Sequence, residues 1–328
     1  MPAYPFLLLL LFLLSSQALA TPAPSVAQLQ QQFIAQQQQQ GFSAEEVSQF
    51  LAGAHKNQQV LDAISRPWEA KPWHQYYPIF LTDKRLQAGL AFWQQHQASI
   101  TKAAKQYQVE PEIIVAIIGI ETYYGQYLGN YPVIDALYTL GFYYPPRADF
   151  FRRELGKLMQ LQRQEKLSAQ QLHGSYAGAM GLGQFIPSSY LAYAVDFDHD
   201  GQRDLINSAD DAIGSVANYF HQHGWQQGHP VAIPLTVASK PDARIWQAQD
   251  KLTQTVADIL APDVALAQSQ DLDVAQPAML IALQQADATE YWLGLNNFYV
   301  ITRYNRSPLY AMAVYQFSQQ LRQHHETQ

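Results

Sequence analysis

Apolar positions recur at helical spacing along most of this chain, and near its last third they give way to short runs of β-branched and aromatic residues. That change of period predicts a mainly α fold of the α+β class, with a small strand-containing module. Ser43-Ala-Glu-Glu46 has the spacing of a capping box, and Val47, Phe50 and Leu51 follow at i, i+3 and i+4, so a helix begins near Ser43. Leu86 to Tyr107 keeps one helical pattern throughout. Pro111 takes a first-turn position, where proline is tolerated, at the head of the unbroken apolar run Ile113 to Ile120. Gly125 and Gly129 then let that helix end. Phe150 to Gln170 and Ser208 to His221, the latter with Ile213, Val216, Ala217 and Phe220 on one face, read as further helices. Ile64 to Phe80, with Pro67, Pro72 and Pro78 among aromatics, is too broken for a long helix and reads as an ordered connector. Thr21 to Gln40 is glutamine-rich, either a flexible linker or a polar helix anchored by Leu29, Phe33 and Ile34. VAIPLTV, AMLIALQQ and TEYWLGL supply the strands of a module from about Ala232 to Gly294, after which Tyr310 to Phe317 returns to helix.

Composition narrows the function classes. The chain has 328 residues, 48% of them hydrophobic, which is enough for a sizeable core. Its net charge of −7 offers no general attraction to phosphate backbones, so nucleic acid is not an expected partner. The nine-residue apolar run Phe6 to Leu14 is too short to span a bilayer, which takes about 20 residues. It is followed by an A-x-A ending at Ala20, which reads as an export signal cleaved there, although Met1 to Pro5 lacks the usual basic residues. The absence of cysteine removes disulfides, thiolate zinc sites and a lipidated N-terminal cysteine, so a soluble exported protein without a stable membrane anchor is expected.

Three stretches carry candidate chemistry. Glu121 ends the apolar run, where burying an unpaired charge is expensive; such a carboxyl is either neutralised by a cation or kept protonated for acid catalysis. Ser175 to Tyr190, SYAGAMGLGQFIPSSY, has glycines at 178, 181 and 183 but no lysine after them, which excludes a phosphate loop. Small residues followed by Gln184 and Phe185 suit either close approach to a neutral polyhydroxylated polymer or a tight helix crossing. In Asp196 to Asp211, six carboxylates within sixteen residues oppose only Arg203. Asp196, Asp198, Asp200 and Gly201 fit the opening of a calcium loop, yet position twelve is Asn207 rather than glutamate. Ser208 with Asp211 also fits a helix cap. His221 and His223 lack any zinc-binding pattern and read as surface residues.

GIETYYG followed some 55 residues later by SYAGAMGLGQFIPSSY closely resembles the lytic murein transglycosylase B family. DAIGSVANYFHQHGW at Asp211 to Trp225 and NNFYVITRYNRS at Asn296 to Ser307 extend the likeness, with WHQYYPIFLTDKRLQAG at Trp73 to Gly89 a weaker match upstream. The resemblance implies a lysozyme-like core in which Glu121 is the single acid and base. It would cleave the bond between N-acetylmuramic acid and N-acetylglucosamine in peptidoglycan and leave a 1,6-anhydro end. It further implies that Ser175, Gln184, Tyr219, Tyr304 and Tyr76 serve the sugar subsites. Arg147 would face peptide carboxylates, with Pro146 standing where the family has a second arginine.

For the acidic loop the family offers Asp211 in place of a position-twelve glutamate, giving Asp196, Asp198, Asp200, Gln202 and Asp211 as ligands of a structural Ca2+ that takes no part in the chemistry. The organisation expected is an export signal at 1–20, a helical region at 21–110, the catalytic core at 111–231, the β-containing module at 232–294 and a closing segment at 295–328. Periplasmic glycan strands are the expected partner, with other cell-wall enzymes alongside. A hydrolytic muramidase or a noncatalytic wall-binding protein would share much of this pattern.

Overall fold

The computed structural model describes residues 24–66, 71–165, 167–239, 251–260 and 263–327. The expected export signal at 1–20 lies outside the described residues. Local chemistry sets several helix starts. Ser25 and Ser43 each form a full capping box, with Gln28 and Glu46, to open helices Val26–Gln38 and Ala44–Ala52. The glutamine-rich segment is therefore a helix, and it is held by Phe33, which is buried in the core.

Leu86 to Tyr107 is two helices, Asp83–Gln95 and Gln97–Tyr107, because the polar run Gln94 to Gln97 offers no apolar anchor for one turn. His96 leaves helical geometry there, at φ −110° and ψ 24°. The helix expected to reach Gln170 ends at Glu165. Helices Gln58–Ile64, Val133–Tyr143 and Pro187–Tyr193 join those read from the sequence; Val133–Tyr143 is buried nearly all round, so it shows no amphipathic stripe.

The helical body closes on itself when helix Pro308–Glu326 packs against helix Pro111–Thr122. A short ladder, β1 (Tyr131–Pro132) with β2 (His173–Gly174), ties the turn after Pro111–Thr122 to the glycine-rich loop. The module contains β3 (Ala232–Val237), β4 (Gln254–Thr255), β5 (Val264–Leu266), β6 (Pro277–Gln284) and β7 (Thr289–Gly294). They form an antiparallel sheet in the order β4-β6-β7-β3-β5.

Strand β6 shows why AMLIAL, Ala278 to Leu283, is apolar at every position. Met279, Ile281 and Leu283 join the main helical core, whereas Ala278 and Leu280 enter a separate small core with Ile233, Val256 and Leu293. Alternating side chains thus bury both faces, so the strand welds the module to the body. Among the described residues no helix is long and apolar enough to cross a membrane.

Candidate active site

Helix Pro111–Thr122 delivers Glu121 to the floor of a cleft of about 1310 Å³. The helix begins at Glu110, whose carboxylate accepts from Trp225 Nε1 and Gly228 N, both at 2.6 Å. It stops because Tyr123 turns left-handed, at φ 51°, one residue after Thr122. Thr122 anchors this end: its hydroxyl donates to the Leu182 carbonyl at 2.9 Å and accepts from Gly125 N at 3.1 Å. Glu121 is half-buried, open to the cleft but seated on an apolar helix end. Tyr310 Oη donates to Glu121 Oε1 at 2.5 Å. Burial raises the Glu121 pKa to about 7, against the opposing effect of the Tyr310 bond. Glu121 is the sole carboxylate among the described residues lining the cleft, while Lys71, Arg147, Arg303 and Arg306 line it as cations.

The glycine-rich loop forms one wall. Ser175 lines the cleft, and its hydroxyl accepts from Ala177 N and Ala179 N at 3.3 and 3.1 Å, which fixes the loop's first turn. Gln184, also in the wall, is left-handed at φ 51° and braces the loop by donating to the carbonyls of Leu128 and Gly181. Two of the three loop glycines, Gly178 and Gly181, pack inward rather than onto the cleft. A Cβ on Gly178 would meet Leu137 at 2.4 Å and one on Gly181 would meet the Leu205 carbonyl at 2.3 Å, so these positions serve tight internal packing.

Tyr304 lines the cleft and donates to the Gly183 carbonyl at 2.5 Å. Tyr219 stands behind it rather than in the wall: it is 7% exposed, meets the Tyr304 ring at 4.8 Å and donates to the Arg303 carbonyl. Tyr76, 5% exposed, is likewise a backing residue, packed between Trp73 and Phe80. Arg147 reaches the rim with its guanidinium over Phe150 at 4.5 Å. His221 and His223 turn to separate backbone carbonyls, those of Tyr107 and Tyr219.

Sequence reasoning missed Tyr310, which sits in YAMAVYQF and passes for one more core aromatic. The available signal was a hydroxyl on an apolar helix face, which must find a partner when buried. It also missed Trp73, and Ala282 and Gln284 of β6, which bring the module into the cleft wall; the ring of His74 contacts the Gln284 carbonyl at 3.3 Å.

In the acidic loop, oxygen atoms of Asp196, Asp198 and Asp211 converge within 4.8 Å of one another, a hard-oxygen set that fits Ca2+. Asp200 lies outside this set and accepts from Gln202 N, closing the turn. Asn207 turns to Asp204 rather than to the cluster. Asp211 is buried, accepts from Phe197 N and Asp204 N at 2.6 and 2.7 Å, and its own N–H is capped by Ser208. Burial raises its pKa and those two N–H bonds oppose the rise.

Residues 25–319 match the family described as a transglycosylase SLT domain. The chain is 40% identical over 289 residues to the membrane-bound lytic murein transglycosylase B of Escherichia coli (strain K12), covering 85% of this chain and 78% of that protein. The solved structure of the Escherichia coli lytic transglycosylase Slt35 in complex with calcium superposes with a TM-score of 0.80 at 39% identity, covering 91% of this chain and 94% of that one. SltB3 from Pseudomonas aeruginosa, solved in complex with NAG-anhNAM-pentapeptide, gives a TM-score of 0.74 at 31% identity over 90% of this chain and 78% of that one.

Proposed function

The chain belongs to the lytic murein transglycosylase B family, and from that premise we propose that it cleaves the β-1,4 bond between N-acetylmuramic acid and N-acetylglucosamine, with Glu121 as the single acid and base. The observation that carries this reading is a carboxyl on the cleft floor, the sole one among the described lining residues, raised to about 7 and hydrogen-bonded to the Tyr310 phenol. Protonated Glu121 gives its proton to the glycosidic oxygen as the bond from that oxygen to the muramoyl anomeric carbon breaks. The carboxylate left behind takes the proton of the muramoyl 6-hydroxyl, whose oxygen bonds to the anomeric carbon. Glu121 regains its proton and no water is consumed. An internal nucleophile is already in place, so a second carboxylate to hold or activate water is unnecessary. The Tyr310 bond becomes charge-assisted when Glu121 ionises, which stabilises the intermediate stage.

Ser175, Gln184 and Tyr304 are the proposed sugar-facing residues, with Tyr219 and Tyr76 holding the wall from behind. Arg147, with Lys71 and Arg306 elsewhere on the cleft, suits the carboxylates of peptide stems. A Ca2+ held by Asp196, Asp198 and Asp211 would pin the loop to the start of helix Ala209–Gln222 and supply nothing to the reaction. Export to the periplasm accords with a substrate that lies outside the cytoplasmic membrane.

Digestion of purified sacculi followed by mass spectrometry of the products tests the reading. Fragments lighter by one water than the corresponding reducing-end muropeptides are expected. Reducing ends alone would make the protein a hydrolytic muramidase, and binding without cleavage would make it a noncatalytic wall protein.

A further inference from the structure

The turn behind Glu121 is built from three consecutive left-handed residues, Tyr123, Tyr124 and Gly125, at φ 51°, 59° and 87°. A tyrosine is strained in that region, so the pair persists only where the surroundings hold it. Tyr124 is held by a slot cut for it. A Cβ on Gly89 would come within 2.3 Å of its hydroxyl and one on Gly119 within 2.4 Å, while its ring stacks on Phe92 at 5.1 Å.

Tyr123 is held by a cation. The Arg85 guanidinium lies 4.9 Å from the Tyr123 ring and 5.3 Å from the Phe80 ring, and its Nη1 donates to the Ile79 carbonyl at 2.7 Å. Arg85 is half-buried, its Nε is buried without a hydrogen-bond partner, and among the described residues no carboxylate pairs with it. Desolvation holds its pKa below the ordinary range. A guanidinium placed there without an anion is an expensive arrangement, offset here by two aromatic faces. Its effect is to join two segments of the site: the Trp73–Phe80 stretch, whose Trp73 lines the cleft, and the turn that fixes the end of the Glu121 helix.

We infer that Arg85 is a positioning residue for Glu121, pinning the strained turn through Tyr123 so that the carboxyl stays in its apolar seat beside Tyr310. The inference rests on the proposed role of Glu121 as the acid. The groups that face Glu121 are the phenols of Tyr310 and Tyr304, both pushed well above their ordinary pKa by burial and by Glu121 itself, so neither supplies a competing titration. A turn that loosens would let Glu121 shift off its apolar helix end, expose it further to water and return it toward the range of a free glutamate.

The test is the titration of Glu121 followed by carboxyl 13C NMR in the parent, Arg85→Ala, Arg85→Lys and Tyr123→Leu, alongside kcat, KM and melting temperature. Arg85→Ala and Tyr123→Leu are expected to lower the midpoint by about one unit. They should also reduce kcat on glycan strands about tenfold, with KM within twofold. Arg85→Lys, which keeps the charge but not the flat stack, should fall between. If Arg85→Ala does not fold, Tyr123→Leu and Arg85→Lys carry the measurement. A lower melting temperature with the parent midpoint and kcat retained would reduce Arg85 to a fold-stabilising residue and overturn the inference. The NMR titration needs no substrate, so a parent that cleaves nothing would sink the proposed activity while leaving the clamp on Glu121 measurable.

Discussion

Glu121 and Asp211 are two of the carboxyls in this molecule whose pKa burial raises, and they sit at opposite ends of their helices. Asp211 lies in the first turn of helix Ala209–Gln222, where the dipole favours an anion, and both its oxygens accept backbone N–H groups. Glu121 lies in the last turn of helix Pro111–Thr122, where the dipole opposes an anion, and one phenol is its partner. Burial raises both pKa values, but the N–H bonds of Asp211 work against the rise and organise the loop. On the proposed reading the same functional group is a structural pin at one helix end and a proton donor at the other.

The largest expected effect comes from making the reactive carboxyl inert. Glu121→Gln keeps the shape but transfers no proton, so turnover of sacculi should fall at least about a hundredfold with the circular dichroism spectrum unchanged. A mutant within tenfold of the parent would remove Glu121 from the chemistry and with it the contrast.

Asp211→Asn tests the other side. Its amide would face a backbone N–H donor, and about 2–3 kcal/mol of stability should be lost in a denaturant titration. The kcat of the folded fraction should stay within twofold of the parent. Loss of turnover at unchanged stability would mean that the acidic loop serves the reaction directly.

Tyr310→Phe sharpens the reactive side. The Tyr310 bond pulls the Glu121 pKa down, so its removal should move the titration of Glu121 above about 7 while kcat falls about tenfold. A midpoint that moves down would show that the phenol does not stabilise the carboxylate.

The smallest effects are in melting curves. Calcium should raise the melting temperature, by mass action worth roughly 2.7 kcal/mol at a hundredfold excess over its dissociation constant. Without a position-twelve glutamate its affinity should be weaker than about micromolar. The increment should vanish in Asp196→Ala plus Asp198→Ala; equal shifts in parent and double mutant would make the loop a plain acidic surface.

Much of the fold was legible because it is local. The serine caps, the apolar run ahead of Glu121 and the two-faced strand AMLIALQQ declare themselves within a few residues. The candidate acid was legible for the same reason, since a carboxylate closing an apolar run is anomalous on its face. Its partner was not, because Tyr310 lies 189 residues away and only tertiary closure brings them together. The glycines of the Ser175–Tyr190 loop were visible, but whether they face a ligand or Leu137 and Leu205 depends on packing that no local pattern encodes. Tyr219 and Tyr304 lie in similar aromatic surroundings, and only the fold puts one in the wall and the other behind it. The break at His96 was hidden because the apolar positions keep helical phase across it.

On the proposed reading Glu121 is held as an acid near neutrality by where its helix ends. Its folded-state pKa stands above the free value of 4.5, so the proton is bound more tightly in the folded protein, and the stability gained is full below 4.5 and lost as pH rises through about 7. The most direct measurement is the carboxyl 13C titration of Glu121 in the substrate-free protein, with Glu121→Gln used to assign the resonance. A midpoint near 7 is expected. A midpoint near 4.5, with the carboxyl ionised throughout the neutral range, would contradict it.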